Sequence, residues 1–407
     1  MIFNFMKKAD GGRTISTSRQ LSDYLASGVD SLSGVSVTPQ SASKFAPVYA
    51  CIKVLAEGVG QLPLNLFRRV GSDVKEKAIK HPLYSILHTE PNDYQTSQEF
   101  FEMLVAHIAL TGNFYAYINR SSVSGQVLEL LPMQPSAIEV KQNEDYSVVY
   151  KVTFPDNSVD ILDAASVLHV KNLTLDGFTG VSNITHARES IGLAMATQTH
   201  GAKLFNNGAK PGGILSTDSV LKKDQISDIR GEWEKLHGGA ANSHKTAILQ
   251  GGLKWAQVGM SSDDAQFLET RQFQRSEIAG IFRVPPHMIG DLERATFTNI
   301  EHQGLEFVVY SLMPYIRRIE QRITKQLIKA TERADYYPKF NVNGLLRGDM
   351  NTRGNFYRSM FNMGALSPNE IRALEDYNPR EDGDTYFVPL NMSDGSEEQQ
   401  DANKEPV

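Results

Sequence analysis

The chain has 407 residues, of which 41% are hydrophobic and 22% charged, with a net charge of −6. That length accommodates two or three cored domains, and the acidic balance excludes a basic nucleic-acid binder, so any DNA contact must be local. A single cysteine, Cys51, excludes an intramolecular disulfide and a multi-cysteine zinc site; its setting VYACIKVLAEGV predicts a buried thiol.

The opening MIFNFMKKADGG is too short and too soon polar for a signal peptide, and no apolar run approaches the ~18 residues of a membrane span. Residues 1–40 are rich in Ser, Gly and Thr and predict a flexible arm. Ser41–Gly60 predicts a helix with Val48, Ile52, Leu55 and Val59 on one side, closed by Gln61-Leu62-Pro63. Leu64–Arg68 alternates as a strand does, HPLYSILHTEPN predicts a short helix, and Thr96–Leu110 a strong one. Gly112-Asn113 ends that helix.

From Phe114 to about Val170 the chain is β-rich, with short strands in FYAYI, VLELLPM, AIEVKQ, SVVYKVTF, SVDIL and VLHVKN. These predict a small antiparallel sheet or barrel. Thr185–Asn207 predicts a long helix whose small residues permit close helix packing. A compact β-α-β-β module follows: strand Gly213–Thr217, helix Lys223–His237, then strands Lys245–Leu249 and Lys254–Val258.

A helix from Ser261 or Ser262 runs to Pro285-Pro286, where neither proline donates and the first is pushed out of helical geometry. The polar loop GDLERATFTN comes next. A helix over Asn299–Ala334 should kink near Pro314, and Lys339–Val342 should return as a strand to the β-rich domain. Two more helices are expected over Leu345–Met363 and Ser367–Asp376, the latter opened by Ser-Pro-Asn-Glu. The tail SDGSEEQQDANKEPV carries no core-forming pattern.

No catalytic or metal-binding signature holds up. Gly239–Thr246 has His244 where a phosphate loop needs glycine, with a helix before it and a strand after, the reverse of the required order. His88-Thr89-Glu90 lacks the CxxC of a zinc deaminase. His81, His88, His107 and His169 show no ligand spacing and fit structural roles. Asp263-Asp264 fits a helix start. No catalytic residue, metal ligand or cofactor is assigned.

The segment FRVPPHMIGDLERATFTNIEHQGLEFV resembles a landmark of the tailed-phage portal protein family, of the long-tailed double-stranded DNA phage type. APVYACIKVLAEGVGQLPLNLFR, HPLYSILHTEPN, HARESIGLAMAT and KLFNNGAKPGGILST match further family segments in the same order. The resemblance covers about Ala42 to Leu374.

It implies an α+β portal-type architecture: an α/β wing, a two-helix stem, a β-α-β-β clip, a kinked tunnel helix and a helical crown. The divisions would be an arm over 1–40, wing 41–184, stem helices 185–208 and 261–284, and clip 209–260. A wing return over 285–343 would carry the tunnel loop 290–299; the crown would be 344–390 and the tail 391–407.

Arg294, Thr296, Thr298 and Asn299 would face DNA, and Lys222, Lys223, Glu232 and Trp233 the motor or connector. The residues leave open whether Arg294 touches phosphate, pairs with Asp291 or Glu293, or meets a neighbouring subunit. The implied partners are other copies in a dodecameric ring, double-stranded DNA, the terminase large subunit, the head-tail connector and the major capsid protein, in a virion and without a membrane. The competing readings are a scaffold or adaptor without a channel, and an unrecognised hydrolase.

Overall fold

The computed structural model describes residues 31–70, 74–206, 214–217, 221–237, 252, 254–256, 263–291, 303–342, 350–375 and 377–387. The arm up to 30, the loop 239–246, the expected strand Lys245–Leu249 and the acidic tail lie outside the described residues. The chain divides into two units, Met1–Asn341 and Val342–Val407.

The first unit opens with α1 (Pro39–Ser43) and α2 (Ala46–Gly60), so the single helix expected over Ser41–Gly60 is two. Thr38 and Ser41 form a capping box on α1, and Pro47 falls in the first turn of α2. Strands β1 (Leu64–Val70) and β2 (Val74–Lys77), then helices α3 (Pro82–His88) and α4 (Ser97–Thr111), follow. Thr96 and Glu99 box the start of α4, and Gly112 ends it with φ 81. No other residue fits there, since a Cβ on Gly112 would lie 2.4 Å from the Val181 backbone. One thiol is silent: Cys51 on α2 is buried, and burial pushes its pKa up to about 12.

The β-rich region forms two separate three-stranded sheets. One has the order β4-β3-β8, built from β3 (Asn113–Arg120), β4 (Val127–Met133) and β8 (Val167–Lys171). The other has the order β5-β6-β7, from β5 (Ile138–Gln142), β6 (Val148–Thr153) and β7 (Val159–Asp163). Tyr115, Tyr150 and Val167 join them in one apolar cluster with Met133, Ile138 and Leu162. His169 is buried and fully paired: its Nε2–H donates to Asn113 Oδ1 at 3.0 Å, and the Tyr150 hydroxyl donates to its Nδ1 at 3.0 Å. It is a structural histidine, as its isolated sequence position suggests.

The long helix expected over Thr185–Asn207 is broken at Ala187 into α5 (Asn183–His186) and α6 (Arg188–Asn206). Strand β9 (Ile214–Ser216), helix α7 (Lys223–His237) and strand β10 (Lys254–Ala256) come next, with β9 and β10 antiparallel. Helix α8 (Asp263–Phe282) then runs back beside α6. Ser190 Oγ donates to Glu277 at 2.8 Å and Gln274 donates to Thr197 Oγ1 at 3.1 Å, so the pair is antiparallel.

After the segment from Pro285 onward, helix resumes at 303–306 and passes into a π-helical turn, Phe307–Leu312, before α9 (Met313–Gln326). The extra residue per turn stands where Pro314 would otherwise meet the preceding turn's carbonyl. The kink expected near Pro314 therefore appears as a π turn. Leu312 packs against Gly58 of α2, where an added Cβ would stand 3.1 Å from its methyl.

Two expectations fail here. Helix α9 ends at Gln326 instead of continuing to Ala334, and Arg333 folds back to donate to the carbonyls of Thr324 and Ile328. The return strand β11 is Tyr336–Phe340, and it pairs with β1 in a sheet of order β11-β1-β2 instead of joining the β-rich sheets. Phe340 drops into an aromatic core with Phe101 at 5.2 Å, and Phe100 stands 5.4 Å from Phe114.

Helix α9 closes the free edges of two sheets. On β11, Tyr336 N–H donates to Glu332 O at 2.9 Å, Pro338 has no N–H, and Phe340 N–H donates to Glu320 Oε1 at 3.0 Å. On β8, the Gln326 side chain donates to Val167 O at 2.7 Å and accepts from His169 N–H at 3.1 Å. An uncovered edge strand would invite other strands to pair with it.

The second unit holds α10 (Met350–Asn362) and α11 (Pro368–Leu374). The capping box predicted at Ser367 and Glu370 is formed, and Asn369 anchors the following turn by bonds to the backbone of Arg380 and Gly383.

Two outcomes follow from this packing. Gln326→Ala strips partners from Val167 O and His169 N–H and should cost about 1–3 kcal/mol in denaturant unfolding. His107 has a buried Nδ1 with no partner among the described residues, and burial pulls its pKa from 6.5 down to about 4. Such a base stays neutral when folded and takes its proton more readily when unfolded, so the stability it contributes is full above 6.5 and lost as pH falls toward 4. His107→Leu should lose less stability than the wild-type chain between those two pH values, measured by thermal unfolding.

Candidate functional site

Outside the cores, side-chain bonds fasten both ends of the turn after α8, ahead of segment 292–302. Helix α8 ends with Val284 N–H on Ala279 O at 2.9 Å and Arg283 N–H on Gly280 O at 3.1 Å. This double closure puts residue 283 in the left-handed region, and Arg283 has φ 55. A non-glycine residue there costs roughly 1 kcal/mol. Pro285 and Pro286 then set a 3₁₀ turn, Pro286–Ile289, which Gly290 ends with φ 82.

Both ends of the segment 292–302 are tied to this turn. Asp291 N–H donates to Pro286 O at 3.0 Å, and the Asp291 carboxylate accepts from Ser276 Oγ at 3.1 Å. On the far side, His287 Nδ1–H donates to Gln303 Oε1 at 2.7 Å. Ser311 Oγ, on the π turn, donates to Arg283 O. The chain thus leaves and returns at one base, fastened to α8 and to the helix that follows.

Arg294, Thr296, Thr298 and Asn299 lie outside the described residues. The other four expected residues are on or beside α7. Lys222 and Lys223 are exposed at its start, where Lys222 N–H donates to Gln225 Oε1 at 3.0 Å. Glu232 is exposed and Trp233 half-buried near its far end. At 1.5 Å per residue the two pairs stand about 15 Å apart along the helix, and at about 100° per residue Lys223 and Glu232 face opposite sides, so the four do not converge on one site.

The sequence assigns no role to His287, Gln303 or Ser276, and Asp291, offered there as a partner of Arg294, accepts from Ser276 instead. His287 was visible in the VPPH motif and Gln303 in IEHQ, but a sixteen-residue separation gives no local signal that they meet. Among the described residues no group of three or more His, Cys, Asp or Glu could hold a metal ion, and no helix is long and apolar enough to cross a membrane.

The described residues define an α+β protein in which Asp291 and Gln303 are both tied to the turn after α8. A match to the phage portal protein family spans residues 46–376. The chain is 32% identical over 389 residues to the portal protein of Enterobacteria phage HK97, covering 93% of this chain and 91% of that one. It is 32% identical over 391 residues to the probable portal protein of Streptomyces phage phiC31, covering 91% and 83%.

Among solved structures, a chain in the virion of a native gene transfer agent particle is similar at a TM-score of 0.59 and 24% identity, over 84% of this chain and 94% of that one. A chain in the neck of the native particle, computed with C12 symmetry, gives 0.56 and 23%, with the same coverage. An HK97 family portal protein from Corynebacterium diphtheriae gives 0.56 and 16%, over 76% and 96%. The chain belongs to the phage portal protein family.

The loop base makes a checkable claim. His287→Ala frees the Gln303 end and should speed tryptic cleavage after Arg294 several-fold, with far-UV circular dichroism unchanged. An unaltered cleavage rate would mean that this hydrogen bond does not restrain the loop.

Proposed function

We propose that this protein assembles into a ring at one capsid vertex of a phage virion and serves there as the conduit for double-stranded DNA during packaging and ejection. The observation that carries the reading is the pair of antiparallel helices α6 and α8, which flank a small module and lead directly into a loop closed at its base. Family membership supports it, and the C12 symmetry of a neck with the same fold supports twelve copies.

In this reading α6 and α8 are the stem, and residues 209–260 are the clip that docks the terminase large subunit and later the head-tail connector. The α+β region is the wing, the kinked segment through α9 carries the tunnel loop, and 344–390 form the crown. The major capsid protein surrounds the wing. The protein acts by geometry and performs no bond chemistry.

Physical reasons agree with a conduit. Strong phosphate binding would oppose sliding, because each neutralised phosphate releases counterions and adds to the hold on the duplex. A chain of net charge −6 avoids that hold. Arg294 would then make brief phosphate contacts as DNA passes.

Negative-stain averages of the purified protein should show rings with a central hole; monomers at every concentration would overturn the reading. Arg294→Ala should leave the rings intact and lower packaged or retained DNA several-fold in a particle assembly assay. Normal packaging by that variant would remove the role given to the loop.

A further inference from the structure

Helix α9, the turn after it and strand β11 border an open groove of about 510 Å³ whose lining includes Arg317, Glu320, Lys325, Arg333, Tyr337 and Lys339. Four cations face a single carboxylate there. That carboxylate is buried at 7% exposure, and its work is already assigned. One oxygen holds the Phe340 N–H, and the other stands 3.5 Å from both Arg317 and Lys339. Glu320 thereby fixes two of the cations in place. Arg333 is fixed by the carbonyls at the end of α9. The result is a surplus of three positive charges in a recess, within a chain whose total charge is negative.

The edge of β11 offers no free N–H, so an occupant cannot be held there as an added strand. Recognition must go through the cations. A duplex is a broad rod carrying one phosphate charge per ~1.7 Å of axis and would meet protruding cations. A recess of about 510 Å³ admits a few side chains instead.

We propose that this groove receives carboxylates from a second copy of the chain, on the flank where the end of α2 meets the start of α4. Gly60 abuts the Glu102 side chain and brings the two helices together, and Glu57 is exposed on α2 one turn before Gly60. Their other partners are slight: Glu57 lies 3.5 Å from Lys53 across an exposed turn, and Glu102 accepts from Gln98. The groove and the flank are different surfaces of one copy. The Phe340 ring lies against Phe101 of α4, while the Phe340 N–H is taken by α9. Two unlike, complementary surfaces make a head-to-tail contact, the kind that closes rings. Complementary charge would set register and pairing more than raw affinity. The proposal rests on the ring reading and supplies its contact.

The experiment reads ring assembly by mass photometry across protein concentration at about 0.15 M salt, where exposed charges are screened beyond ~8 Å. Gln321 and Lys325 line the groove on its exposed side without touching Glu320, so Gln321→Glu with Lys325→Glu cancels the surplus of three positive charges and puts two carboxylates where the partner's would dock. That variant should need at least tenfold more protein to assemble, with an unchanged melting temperature. Adding Glu57→Lys and Glu102→Lys should restore assembly to within about threefold of wild type.

Wild-type-like assembly of the groove variant overturns the proposal and leaves the ring reading standing. Loss without rescue overturns the assigned partner surface. Wild-type binding to a labelled DNA duplex that vanishes in the groove variant would make the ligand phosphate and overturn the carboxylate assignment. A wild-type chain that never forms rings defeats the function proposed above.

Discussion

Two side chains of α9, Glu320 and Gln326, satisfy backbone groups at the free edges of two different sheets. An edge strand left open exposes donors and acceptors that other strands can use. Such pairing in a wrong register is blocked at β11 and β8. Here one helix covers both edges, and Pro338 deletes the remaining donor of β11. The same helix follows the π turn that leads away from the loop base. Edge closure and loop support therefore belong to one continuous element.

That continuity shapes the functional reading. The turn between α8 and the next helix is held by a left-handed Arg283, two prolines and four hydrogen bonds, to the Asp291 backbone and side chain, Gln303 and Arg283 O. Each bond is worth about 1 kcal/mol by itself, but together they fix where a loop starts and stops. In the proposed conduit this base would hold the two ends of segment 292–302 together, and the acidic balance of the chain is consistent with that proposal.

Much was legible locally. The capping box at Ser367, the helix start near Thr96, the stop at Gly112, the strands of the β-rich region and the prolines after α8 all follow from residues within a few positions of each other. Errors fell where a distant contact outweighed local pattern. The amphipathic run after Pro314 suggested helix to Ala334, yet Arg333 caps the helix end by returning to Thr324 and Ile328. The return strand was expected at Lys339, but Tyr337 stacks on Phe67 at 5.8 Å, and the pairing with β1 begins at Tyr336. The β-rich region was read as one small sheet or barrel because alternation reports which face is buried, not which neighbour covers it, and it forms two sheets.

Most of the helices and strands, the buried thiol and the family resemblance were present in the sequence. They depend on composition, periodicity and short-range hydrogen bonding. The division into two three-stranded sheets, the pairing of β11 with β1, the sealing of two edges by α9 and the meeting of His287 with Gln303 were decided only in the folded chain. Each joins residues remote in sequence, and side-chain hydrogen bonding across such distances leaves no periodic trace.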